Sequence, residues 1–264
     1  MRKLKRYLAL LLALASCLAL PVTAEEGKPT AESVIADFLE ENGLEELRLG
    51  IAYFNTETGE EYFYHGDDYF VQASLYKLPL SMYYADKINR GELGWDSVLS
   101  ISNGATMDYL ISESLVYSNN GTGYAMQQGI SRSRDIYRRT IAPYQGIKRG
   151  FEDFAYYREE KCTPKQMMWT LRYLYEHSEE YEFLIDCLKQ ASPGEYFKTN
   201  ESRYVIAQKY GYLTVFGRDI NAAAIVYTGS PFLLVMLTVD LPKPNDTMSA
   251  LCTRLCDYTT GQMK

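Results

Sequence analysis

Apolar positions recur with a helical period from Thr30 to Asn42. Val34, Ile35, Phe38 and Leu39 mark the buried face, Thr30 can cap the start, Glu32 suits the positive end and Gly43 stops the helix. Two strand-like runs follow, Leu47–Asn55 and Glu60–His65, joined by the turn-prone Thr56-Glu57-Thr58-Gly59. Leu49, Ile51 and Tyr53 alternate with Arg48, Gly50 and Ala52, which predicts a hairpin with one face on a core. From Ser74 to about Ser192 the pattern is mainly helical. Met82–Asn89 runs into the stop Arg90-Gly91, and Met107–Val116 is a second short apolar stretch. Thr163-Pro164-Lys165-Gln166 predicts a helix start: Thr163 caps, Pro164 fits the first turn, Gln166 reaches back, and Met167, Leu171 and Leu174 line the buried face. Residues 141–160 hold Pro143, Gly146 and Gly150 and no clear period, so a long surface loop is expected. Strands return after Pro193, at Tyr204–Tyr212, Ala222–Thr228 and Phe232–Val239, before a closing helix over Asp246–Tyr258.

This order predicts an α/β (α+β) fold with an antiparallel sheet built from both chain ends and flanked by helices, plus an all-helical lobe. The sheet lobe takes residues of about 30–73 and 193–264, and the helical lobe those of about 74–192. Ahead of them Arg2, Lys3, Lys5 and Arg6 precede an apolar run from Tyr7 to Leu20, then Val22-Thr23-Ala24. That is the pattern of an export signal over 1–24, cleaved after Ala24, and it implies a secreted or cell-envelope protein. The run is too short to cross the ~30 Å of a bilayer core. Leu14-Ala15-Ser16-Cys17 also looks like a bacterial lipobox, which would hold the chain to a membrane through Cys17, although Leu18-Ala19-Leu20 continue the apolar run.

Composition narrows the function classes. With 264 residues, 47% apolar and 23% charged, a disordered chain, a collagen and a multi-span membrane protein are excluded. The formal charge of −7 becomes −11 without the four basic residues of the leader, so nucleic acid is not an expected partner. Only His65 and His177 are present, which argues against a multi-histidine metal centre and a Ser-His-Asp hydrolase; neither metal nor cofactor is expected. Cys162, Cys187, Cys252 and Cys256 allow three disulfide connectivities, or serve as small buried apolar residues.

Three short motifs can carry chemistry, and each alone has a plainer reading. Ser74-Leu75-Tyr76-Lys77 puts a hydroxyl and an amine on one helical face, and desolvation or a second cation would free the amine to take the serine proton. Its plainer reading is a capping serine and a solvated lysine, and Pro79 demands a helix that starts near Ser74 or has an irregular first turn. Ser118-Asn119-Asn120 offers a second hydroxyl and an amide that can meet a substrate amide, or simply a polar turn before Gly121. Lys209-Tyr210-Gly211 on a strand offers positive charge and a close backbone approach, or an exposed lysine beside a bulge.

In that order along the chain, the three motifs resemble those of the penicillin-recognising serine acyltransferases and, more narrowly, are similar to the class A β-lactamase-like serine hydrolases. The similarity takes in Thr58-Gly59, Phe70-Val71-Gln72-Ala73, Thr163-Pro164 and the last two strands. The resemblance implies a β-lactamase/transpeptidase-like fold, Ser74 as acylated nucleophile, Lys77 as its base and Ser118 as proton relay. It also implies Asn120 as a substrate-amide contact and Lys209 as electrostatic support. The backbone N–H groups of Ser74 and Tyr212 would form an oxyanion hole, with Tyr210 and Gly211 beside the substrate. Three departures stand out. At the family's spacing from Pro164 the loop glutamate is replaced by Ile147, and Glu152, Asp153, Glu159 and Glu160 stand in no such motif; each reads most simply as a solvated carboxylate. Asn119 stands for the middle Asp, and Tyr210 for the Thr of K-T-G. Tyr117-Ser118-Asn119 also fits a Y-x-N register, with Tyr117 as relay.

The expected activity is acylation of Ser74 by a β-lactam or peptide-like acyl donor and its hydrolysis, in a monomer. Deacylation is the doubtful step. A DD-peptidase or esterase on cell-wall peptides is the alternative enzyme. A weak binding protein for a cell-wall fragment, using the 24 tyrosines, is the alternative of another class.

Overall fold

The computed structural model describes residues 28–201, 203–215 and 217–263; the leader and its Cys17 lie outside them. Residues 31–264 form one unit of contacts. It opens with helix α1 (Ala31–Glu41) and the hairpin β1 (Leu49–Asn55) and β2 (Glu61–Tyr64). The Asn55 side chain accepts from the N–H groups of Glu57 and Thr58 and fixes the turn, which ends at Gly59 in a left-handed conformation.

The middle of the chain carries β3 (Phe70–Val71), a 3₁₀ turn Ala73–Tyr76, α2 (Lys77–Asn89), α3 (Met107–Val116), α4 (Asn120–Ile130) and α5 (Arg134–Ile141). Then come α6 (Phe154–Glu159), β4 (Lys161–Cys162), α7 (Pro164–Glu176) and α8 (Glu182–Gln190). The return to the sheet is β5 (Val205–Leu213), β6 (Asp219–Tyr227) and β7 (Phe232–Thr238), closed by α9 (Pro244–Thr259). The sheet order is β2-β1-β7-β6-β5, antiparallel throughout, so strands from both chain ends meet at the β1–β7 ladder. This is the expected architecture. The helix predicted at Thr163-Pro164 carries its full capping box: Thr163 Oγ1 accepts from Gln166 N–H and Gln166 Oε1 from Thr163 N–H.

Three expectations need correction. β1 is buried on both faces, not one. Leu49, Ile51 and Tyr53 join the core beneath α1 and α9, while Ala52 joins the core beneath the helical lobe. Residues 141–160 are not a bare surface loop. They hold a 3₁₀ turn (Ala142–Gln145) and α6, and they bury Ile147, Tyr156 and Tyr157; Asp153 caps α6 by accepting from Tyr156 N–H. The middle segment is not all helical either, because β4 pairs with β3 in a two-stranded ribbon. The four cysteines are buried free thiols, Cys162 and Cys187 in one core and Cys252 and Cys256 in the other, which is the small apolar role.

Gly50 shows how tightly this frame is closed. A Cβ there would lie 2.7 Å from Pro164 Cγ and 2.9 Å from Phe70 Cε2, so β1 touches the start of α7 directly. Gly50→Ala is expected to lower unfolding free energy by about 1–3 kcal/mol, read by urea denaturation. An unchanged midpoint would mean that the contact yields freely.

Candidate active site

The segment around Ser74 is pinned from several sides. The β3–β4 ladder pairs Phe70 with Cys162 and Val71 with Lys161, and Gln72 N–H donates to Glu160 O. Asn221 Nδ2 donates to Val71 O while its Oδ1 accepts from Thr238 N–H, tying the segment to β6 and β7. Ala73 is forced to φ +47°, a left-handed conformation unusual for a residue with a Cβ. Ser74 then sits in the 3₁₀ turn, and the α-helix begins at Lys77. Residues three apart eclipse in a 3₁₀ turn, so Lys77 lies over Ser74. Pro79 falls in the first α-turn, where its missing N–H leaves no bond unmade.

Lys77 is fully buried, and its Nζ meets four oxygens: Ser118 O (2.5 Å), Asn120 Oδ1 (2.8 Å), Ser74 Oγ (3.1 Å) and Ser118 Oγ (3.3 Å). A carbonyl and an amide oxygen only accept, so two of the N–H bonds are committed to Ser118 and Asn120. The third direction faces hydroxyls. In the neutral amine that direction is the lone pair, aimed to receive a proton from Ser74. Burial alone pushes the Lys77 amine down to about 8.

Lys209 reaches the same place from β5. It is also fully buried, and its Nζ donates to Ser118 Oγ (3.0 Å) and Tyr210 O (2.8 Å). Burial, followed by the nearby Lys77 amine, drives it well below the usual lysine range. Among the described residues no carboxylate pairs with either amine. Ser118, held at φ +56° between α3 and α4, presents its hydroxyl to both. Tyr117 has its side chain in solvent at 70% exposure, so the hydroxyl that meets the amines is that of Ser118. Asn119 takes the position of the missing Asp as the cap of α4, its Oδ1 accepting from Gly121 and Thr122 N–H.

Ser74, Lys77, Ser118, Asn120 and Lys209 are thus brought together. The three tyrosine-strand positions differ. Tyr210 stacks on Tyr196 (4.8 Å between ring centres), holds its ring 4.0 Å from the Lys209 amine, and is absent from the wall of the cavity beside Ser74. Gly211 admits the chain's own Ser74 turn: a Cβ would lie 3.0 Å from Ser74 N and 3.0 Å from Gln72 O. That approach sets Gly211 beside the Ser74 N–H, and Tyr212, the next residue, forms part of the cavity wall.

The cavity beside Ser74 has a volume of about 220 Å³ and also involves Asn120, Gln127, Tyr137, Arg138 and Glu160. Sequence reasoning did not single out Gln127, Tyr137 or Arg138, since no motif marks them. Among the acids of 152–160, Glu152 pairs with Arg139 and Glu159 with Lys161. Asp153 is buried as a cap, accepting also from Tyr69 and Gln166. Glu160 alone of these reaches the cavity, and Arg134 engages it at 3.2 Å. Ile147, at the position expected for the loop glutamate, is buried in an apolar cluster with Tyr156 and Tyr157.

The sequence matches the model of the beta-lactamase enzyme family over residues 30–128 and 110–259. No curated protein matches it. Solved structures with a similar fold include a beta-lactamase from Chitinophaga pinensis, 15% identical, covering 86% of this chain and 99% of its own, with a TM-score of 0.70. A beta lactamase from Burkholderia vietnamiensis is 16% identical, with 90% and 100% coverage and a TM-score of 0.68. The class A beta-lactamase reconstructed as the last common ancestor of Gram-negative bacteria is 16% identical, with 84% and 98% coverage and a TM-score of 0.70.

The Lys77 amine makes folding pH-dependent with a definite sign. Its folded value of about 8 lies below the unfolded one of 10.5, so the unfolded chain binds the extra proton between them and stability rises with pH across that window. Lys77→Met is expected to remove that rise. The variant's gain in unfolding free energy over the parent should be largest below pH 8 and shrink by roughly 3 kcal/mol towards pH 10.5. A constant difference across the window would contradict the depressed amine.

Proposed function

The chain belongs to the beta-lactamase enzyme family, serine hydrolases of β-lactamase type, and from that premise we propose that it is acylated on Ser74 by a β-lactam or peptide-like donor. The observation that carries this reading is the 3.1 Å contact of Lys77 Nζ with Ser74 Oγ, in a site where burial lowers the amine to about 8. Neutral Lys77 takes the Ser74 proton as Oγ bonds to the carbonyl carbon. The N–H groups of Ser74 and Tyr212 receive the oxyanion. As the tetrahedral carbon collapses, the C–N bond breaks and Ser118 Oγ–H delivers a proton to the leaving nitrogen, with Lys77 and Lys209 resupplying Ser118. Asn120 contacts the substrate amide, and Lys209 favours a substrate carboxylate at the mouth of the site.

Release of the acyl group is the slow half of the cycle in this proposal. Glu152, Asp153 and Glu159 are held in other contacts, Ile147 is apolar, and Glu160 is drawn to Arg134. The protein therefore accumulates the ester and acts as a slow hydrolase. A second reading, a DD-peptidase or esterase on cell-wall peptides, draws on the same geometry. It is favoured by Tyr210, whose ring is stacked on Tyr196 where a short hydroxyl would otherwise serve a β-lactam carboxylate. The leader pattern supports export with cleavage after Ala24, or attachment at Cys17, and the strongly acidic mature chain supports a small-molecule or peptide partner rather than nucleic acid. We treat the chain as a monomer needing neither metal nor cofactor.

Intact-mass spectrometry after exposure to benzylpenicillin is expected to show one adduct on the native protein, decaying over a time course, and none on Ser74→Ala. An adduct that survives Ser74→Ala would overturn the assignment. The rate of adduct formation is expected to rise with pH through about 8 and level off above it, as Lys77 sheds its proton. Lys77→Met should slow it about 10²–10⁴-fold, the range for losing a positioned base. A flat pH profile would remove Lys77 from that role.

A further inference from the structure

We propose that the cavity beside Ser74 receives an anionic group, a carboxylate carried on the acyl portion of the substrate, with Arg138 and the Tyr137 hydroxyl as its receptors. The proposal rests on the reading of Ser74 as nucleophile only in calling the ligand an acyl group; the charge preference of the cavity stands by itself.

Arg138 is 1% exposed yet forms part of the cavity wall. Its Nε and Nη2 both donate to one oxygen, Tyr156 O, at 3.1 and 2.6 Å, and its guanidinium lies 4.3 Å from the Tyr156 ring centre. A single carbonyl and an aromatic face hold the cation in place without neutralising it. No carboxylate among the described residues forms an ion pair with it. Its hydrogen bonds to the protein go from Nε and Nη2 to that one carbonyl, so a counter-charge in the cavity would stabilise the guanidinium.

A second, independent group points to the same ligand. The Tyr137 hydroxyl is buried and finds no hydrogen-bond partner, although Tyr137 belongs to the same wall. A phenol left with a free O–H beside an unpaired guanidinium is a donor waiting for an acceptor. Its burial holds it well above the usual tyrosine range despite the opposing pull of Arg138, so it remains a donor at any working pH. Glu160 does not reverse the sign of the cavity, because Arg134 offsets its charge at 3.2 Å. The volume of about 220 Å³ lies below the several hundred Å³ of whole-ligand pockets, which fits a short side chain bearing one carboxylate while the rest of the donor lies in the open cleft.

Two measurements test this. Calorimetric titration of Ser74→Ala with N-acetylglutamate and N-acetylglutamine compares a carboxylate with its neutral isostere and needs no acylation. The carboxylate should bind about tenfold or more tightly, the value of one charge-assisted hydrogen bond. Tyr137→Phe in the same background should lose several-fold of that preference, and Arg138→Met nearly all of it. Tyr137→Phe removes a hydroxyl that bonds to nothing in the protein, so it keeps the test open if Arg138→Met fails to fold. Equal binding of the two probes, or binding of neither, overturns the proposal. The second measurement is the acylation rate of the native protein by α-carboxybenzylpenicillin against benzylpenicillin, expected to favour the former by a similar factor. A charge preference in the titration with no adduct from either penicillin would sink the Ser74 reading and leave the cavity assignment standing.

Discussion

Lys77 and Lys209 bring two amines to one hydroxyl. Both lie within 3.3 Å of Ser118 Oγ, so they are at most about 6 Å apart. Two positive charges at that distance repel by about 3 kcal/mol at an effective dielectric of ~20, and neither is offset by an ion-paired carboxylate among the described residues. Repulsion of that size outweighs a hydrogen bond or two, so the pair holds one charge more readily than two. Burial adds to the same tendency, and both amines are displaced downward. The site is thus a place where an ordinarily protonated side chain loses its proton more readily, and the surrounding structure keeps both amines buried there.

That organisation uses backbone strain at two points. Ala73 and Ser118 both occupy left-handed conformations, one immediately before Ser74 and the other at the hydroxyl shared by the amines. Each is over-determined by its neighbours. Ala73 is caught between Gln72, whose N–H is bonded to Glu160 O, and Gly211 of β5, where only hydrogen in place of a side chain lets the strand approach. Ser118 is held by Lys77 through its carbonyl and by Asn119, which caps α4 with its own side chain. Sheet edge, ribbon and helix start therefore act together. The sheet, assembled from both chain ends, supplies Lys209, and the segments between supply Ser74, Lys77 and Ser118.

Much of this was legible in the sequence, for reasons that differ by element. Helix starts with local signals, such as Thr163-Pro164-Lys165-Gln166, formed as read because capping is a property of four adjacent residues. The last strands came within a few residues because each is a strongly apolar run bounded by turns. β1 was misread because alternation along one strand cannot reveal that a second layer of helices covers the small face of Gly50 and Ala52. Residues 141–160 were misread because α6 has six residues, too few to show a period, and draws its stability from burying Tyr156 and Tyr157. Serine-lysine spacing pointed to Ser74 and Lys77, but a Thr-to-Tyr change in K-x-G could not disclose that Tyr210 would turn onto Tyr196.

Arg138 marks the limit of pattern reading most clearly. In Arg134-Asp135-Ile136-Tyr137-Arg138-Arg139 three arginines share a short helix, and by composition each belongs to a solvated face. Two behave that way, pairing with Glu160 and Asp135 near the surface. The third is buried because α6, distant by about one loop, places the Tyr156 carbonyl and ring against it. Its environment is thus created by the same short helix that carries no sequence signal. Glu160, near the end of the segment before α7, lines the cavity beside Ser74, so that segment shapes the site without touching the serine or either lysine. Here the loop gives up a free carboxylate at Ile147 and encloses an unpaired cation instead. For the acyl group proposed on Ser74, those two differences act in the same direction: one withholds a base that would release it, and the other supplies a charge that would retain it.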